Sequence, residues 1–176
     1  SRQSRHNRAI IAPWHDSERV VTVNAHQLRD IIEEGENDRI EFKRCGNQPE
    51  KDLFETICAF ANTFGGTILL GVEDDGSLTG IDPAQVLPVT RNVLNVVNNS
   101  NAFDVPVSME FEHIEIGDRQ IIKIDVPNSP QMHSYKGKVY ERRGDADVVV
   151  RGSAPLAGLC IRKQGIYTEQ RIFEHV

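Results

Sequence analysis

One short stretch constrains the fold more than any other. Thr67-Ile68-Leu69-Leu70-Gly71-Val72 is almost continuously apolar, with Gly65-Gly66 before it and Asp74-Asp75-Gly76 after it. An apolar run of that length, closed at both ends by turn residues, is the pattern of a strand buried on both faces. Layers of apolar structure must therefore cover it above and below, and the flanking sequence supplies candidates. Leu53, Phe54, Ile57, Cys58, Phe60 and Ala61 recur at helical spacing, with Pro49 suited to the first turn. Residues 83–99 repeat the pattern through Val86, Val93, Leu94 and Val97, and Pro88 disturbs the early turns.

The remaining elements follow from the same periodicities. Asn24 and Gln27 form a capping-box arrangement ahead of Leu28, Ile31 and Ile32, a short helix that ends near Gly35. Arg39 to Lys43 alternates with period two, so Ile40 and Phe42 face the core while Arg39, Glu41 and Lys43 share the opposite face. Val107–Ile116 and Gln120–Val126 read as an antiparallel pair joined at Gly117-Asp118, and Lys138–Arg142 as a further short strand. The order predicts an α/β (α+β) fold, a mixed and largely antiparallel sheet flanked by helices. Residues 1–22 read as an arm or linker, 23–150 as one domain, and 151–176 as an extension packed on it. No internal repeat is visible. Ser1 in place of Met suits a processed product or a piece of a longer protein.

The 176 residues are long enough for a real core, and no apolar run approaches the ~20 residues of a membrane helix. With no membrane segment and no signal-peptide pattern, a cytoplasmic protein is expected. Cys45, Cys58 and Cys160 form no CxxC pair and no zinc spacing, which suits reduced thiols. His15, His26, His113 and His133 are scattered without ligand spacing. A net charge of -6 excludes loose coating of nucleic acid by bulk charge. That charge is segregated. Residues 45–131 hold 4 basic and 13 acidic side chains, whereas residues 132–176 hold 8 basic and 5 acidic ones.

The basic segment contains Lys136, Lys138, Arg142 and Arg143, with Tyr135 and Tyr140 interleaved. Lysine and arginine suit phosphates, tyrosine suits an unpaired base, and alternation puts Lys138, Tyr140 and Arg142 on one face. Arg2, Arg5 and Arg8 could wrap a phosphate backbone or form a plain tail. Asn62, Gly65 and Gly66 invite a phosphate-loop reading, but the glycines follow a helix and precede a strand, the reverse of the order such a loop needs. A tight turn and close helix-to-strand packing explain them better.

Three stretches taken together, Gly35 to Lys43, Ile57 to Gly76 with Gly80-Ile81, and Tyr140-Glu141-Arg142-Arg143-Gly144, resemble the Schlafen AlbA-type domain family. The resemblance covers roughly residues 25–150. It implies an α/β fold and nucleic-acid association, DNA or RNA, and for bacterial and archaeal members a place in transcriptional regulators. Some animal Schlafens are endoribonucleases acting on structured RNA, with a three-carboxylate centre in the same two motifs. Carried over, that centre falls on Glu36, Glu41 and Asp74, with Lys43 beside it to neutralise phosphate charge. Mg²⁺ or Mn²⁺ is the metal such a set implies. Against this, an acid and a lysine on an open strand face, and two aspartates in a turn, are also what plain structure supplies. A third reading is an interaction module, a homodimer formed by partner pairing along residues 138–142.

Overall fold

A computed structural model describes residues 25–173, with side chains from His26 to Gly165. The Asn24 cap and the arginine arm lie outside these residues. The elements in order are α1 (Ala25–Glu34), β1 (Ile40–Lys43), α2 (Leu53–Asn62), β2 (Gly66–Leu70), α3 (Pro83–Val97), β3 (Glu110–Ile116), β4 (Arg119–Val126), β5 (Tyr140–Arg143), β6 (Ala146–Val149) and α4 (Ser153–Phe173).

β2 is the buried strand at the centre of the fold. The four-stranded sheet has the order β1-β2-β4-β3, with β1 parallel to β2 and the other pairs antiparallel. β5 and β6 form a separate antiparallel hairpin. The fold is thus mixed and largely antiparallel, with helices on its faces. On one face, Ile68, Leu70, Ile122 and Ile124 pack with α2 and α3; on the other, Phe42, Leu69, Ile114 and Ile121 meet Leu28 of α1. Among the described residues no helix is long and apolar enough to cross a membrane.

The turn between α2 and β2 shows why two glycines stand there. Gly65 has φ +72°, and a Cβ on it would lie 2.6 Å from the Val126 carbonyl oxygen; a Cβ on Gly66 would lie 2.7 Å from the Phe60 ring. Only bare backbone fits between α2 and the sheet.

Several expectations need correction. Pro49 does not open α2: it bridges Cys45, and the helix begins four residues later at Leu53. Leu94 lies on the outer side of α3, with Val89 and Thr90 taking the inner positions. The third strand begins at Glu110, not Val107. β6 was not foreseen at all. The open strand face expected at Glu41 and Lys43 is closed: all four residues of β1 are buried.

Candidate nucleic-acid interface

The closed face of β1 holds a buried ionic network. Glu41 meets two cations, Arg142 Nη2 at 2.5 Å and Lys43 Nζ at 2.6 Å. Arg142 also reaches Asp147 Oδ1 through Nη1 at 2.9 Å and donates from Nη2 to the Asn37 carbonyl. Lys43 bonds Asp52 at 2.8 Å, and the Thr56 hydroxyl donates to Asp147 Oδ2. The Arg142 side chain is fully buried, with its guanidinium 5.0 Å from the Phe60 ring centroid. Burial opposes the charge on Arg142 and Lys43. The carboxylates outweigh it and hold both pKa values above their ordinary range.

This network decides which of the expected residues can touch a ligand. Tyr140 and Arg142 do share one face of β5, as alternation requires, but that face points inward. Tyr140 is buried with its hydroxyl donating to Glu55, and burial next to that carboxylate pushes its pKa up to about 12. Both are therefore corrected from nucleic-acid contacts to structural residues. Lys136, Lys138 and Arg143 are exposed. Lys136 occupies a two-residue turn in which Tyr135 and Lys138 exchange backbone hydrogen bonds. Its φ of +47° and the +76° of Gly137 are the values of a tight hairpin turn, so the backbone carrying both lysines is well defined.

The expected edge-to-edge dimer through residues 138–142 is also closed off. The outward carbonyl of Tyr140 accepts from Asn62 Nδ2 at 2.9 Å, and the Arg142 N–H donates to Thr63 Oγ1 at 2.8 Å. The free edge of β5 is occupied by the C-terminal end of α2.

The acids do come near one another. Glu36 has a raised pKa, from burial and from the neighbouring Glu41 and Asp74 carboxylates, although the Phe42 N–H on its Oε1 works the other way. As placed, however, the set does not fit a divalent metal. Both oxygens of Glu41 face cations, one oxygen of Glu36 is committed to backbone, and no group of three or more His, Cys, Asp or Glu among the described residues is arranged to hold an ion. The geometry supports charge-paired packing of Glu41 with Arg142 and Lys43.

Sequence reasoning missed Asp52, Asp147, Arg39 and Phe64. Asp147 stands four residues after Arg143 in a strand too short to show a period. Phe64 carried a visible signal, a large aromatic just past the end of a helix, and it is 60% exposed with the Arg39 guanidinium 5.5 Å from its ring centroid.

The sheet order, the β5–β6 hairpin locked onto α2 and the paired acids and bases between them define one domain type. The chain belongs to the Schlafen, AlbA_2 family, whose profile matches residues 36–151. No curated protein matches it. Among solved structures, the DIP2311 protein from Corynebacterium diphtheriae is 18% identical with a TM-score of 0.48, over 71% of this chain and 29% of its own. This chain thus spans less than a third of that protein. The N-terminal domain of a RecG-related protein from Nitrosomonas europaea is 26% identical with a TM-score of 0.45, over 69% of this chain and 91% of its own.

Proposed function

We propose that this domain binds nucleic acid and contacts its phosphates through Lys136, Lys138 and Arg143. The observation that carries the reading is the exposure of these three cations on a hydrogen-bonded turn and beside an ion-paired, buried arginine. The tight turn fixes Lys136 and Lys138, and Arg142, beside Arg143, is anchored in the buried network. Lys138 and Arg143 are five residues apart, about 16 Å of extended chain, so they meet separate phosphates. Arg143 pairs with Glu141 at the surface. The Arg143 side of that pair is open to solvent, and Glu141 keeps Arg162 as a second partner when Arg143 turns to a phosphate.

Family membership supports the same reading, and the resemblance suggests its setting, a module of a cytoplasmic transcriptional regulator. Binding should be local and salt-dependent. Changing Lys136 and Lys138 together to alanine is expected to weaken binding uniformly across sequences and to lower the slope of log K against log salt by about 2. A wild-type protein that binds neither DNA nor RNA at low salt, or binds without salt dependence, overturns the reading.

A further inference from the structure

Among the described residues, Phe64 is the largest apolar side chain that the fold leaves open at a point where its neighbours are charged. Arg39 lies over its ring, yet the ring remains 60% exposed. Both residues line a cleft of about 700 Å³ at the end of the sheet, together with Ser108, Glu110 and Asp125. A second arginine comes from β5. The Arg142 N–H is bonded to Thr63 Oγ1, next to Phe64, and Arg142 Nη2 is bonded to the carbonyl of Asn37, whose side chain caps the N–H of Arg39. Arg143, the next residue and exposed, is thereby brought to the same end of the molecule as the Phe64 ring.

An exposed aromatic with an arginine against its ring, and a second arginine on the neighbouring strand end, suits an unpaired nucleobase, because every base has a face that stacks and a phosphate on either side. The cleft itself is wrong for phosphate. Asp125 is already bonded to Thr67 and Lys123, but Glu34 and Glu110 line the same cleft and repel anions, while the Glu110 carboxylate can accept from the exocyclic amine of a base. Resting on the nucleic-acid reading above, we infer that Phe64 is a stacking platform for an unpaired base that enters this cleft, with Arg39 and Arg143 on its flanking phosphates. The ligand class is single-stranded nucleic acid, or an unpaired segment of a structured one.

The test compares a labelled 12-nucleotide single strand with its blunt duplex, by fluorescence anisotropy at fixed salt. Wild type is compared with Phe64→Leu, Phe64→Trp and the Lys136→Ala/Lys138→Ala double variant. Phe64→Leu is expected to lose about tenfold or more in single-strand affinity, the worth of one base–aromatic stack, and to leave duplex affinity unchanged. Phe64→Trp keeps the ring and keeps the affinity. Equal single-strand binding by wild type and Phe64→Leu overturns this inference, and so does a tryptophan variant as weak as the leucine one. In either case, weakened binding by the lysine variant leaves the phosphate reading standing. Absence of any binding by wild type removes both.

Discussion

Arg142 offers two opposite uses for one side chain, a hand for phosphate or a strut between strands. Its full burial against Glu41, Asp147 and Phe60 makes it a strut. Removing one partner of a buried ion pair leaves the other charge unpaired, so Arg142→Ala is expected to cost about 3–5 kcal/mol in urea unfolding. Pairing Arg142→Met with Glu41→Gln and Asp147→Asn should recover most of it; no recovery would mean the arginine acts through something other than these acids. Lys43 adds a pH dependence of known sign. Its folded pKa lies above the ordinary 10.5, so the network's contribution is fully present below pH 10.5 and is lost as pH rises through the folded value. Urea midpoints at pH 9 and 11.5 should therefore differ less in Lys43→Met than in wild type. Because Glu41 already has two cations, Mg²⁺ or Mn²⁺ should leave the melting temperature unchanged. A rise of several degrees that Glu41→Gln abolishes would restore the three-carboxylate metal centre. At this scale the sequence was half legible. Alternation placed Ile40 and Phe42 correctly. It could not reveal that Glu41 and Lys43 were covered, because Arg142, which pairs with Glu41, lies 101 residues away in the chain.

The hinge of the architecture at the next scale is the C-terminal end of α2. Asn62 donates to the carbonyls of His133 and Tyr140 and accepts from the His133 N–H, all within 2.9 Å. One buried amide thus stitches the segment before β5, and β5 itself, to the helix. Asn62→Ala leaves the Tyr140 carbonyl and the His133 N–H without partners, at about 1–3 kcal/mol each before relaxation, and leaves the His133 carbonyl only the Cys58 thiol. We expect a loss of about 3 kcal/mol, near 10 °C in melting temperature for a chain of this size, with faster amide exchange in β5 than in β2. Equal exchange in both strands would show that the hairpin is not held chiefly by this amide. α1, α2, α3 and the long strands were legible because their periods repeat several times, whereas α4 was not, its residues being read only as an extension packed on the domain. β6 was not, since four residues between Asp145 and Val150 hold too few repeats to separate strand from loop. The buried polar job of Asn62 left no periodic trace either; only its place beside Gly65-Gly66 hinted that the chain there is crowded.

Across the whole molecule, the proposed function asks the chain to attract phosphate while carrying a net charge of -6. The fold manages this by location. Several acids of the middle segment are already matched, Asp52 by Lys43, and Glu112 and Asp125 by Lys123. Others, such as Glu115 and Asp118 at the tip of the β3–β4 hairpin, are exposed. Such charges act on an approaching nucleic acid only through the long-range field, which salt screens: the Debye length falls from about 30 Å at 0.01 M to about 8 Å at 0.15 M. Neutralising Glu115→Gln and Asp118→Asn together should therefore raise nucleic-acid affinity several-fold at 0.01 M salt and leave it unchanged at 0.15 M. The Lys136→Ala/Lys138→Ala variant, by contrast, should stay weaker than wild type at both, because close contacts are screened far less than distant ones. Anisotropy titrations of the three proteins at the two salt concentrations separate the terms. A hairpin-tip effect that persisted at 0.15 M would place the bound strand against the β3–β4 hairpin itself and away from the turn that carries the lysines.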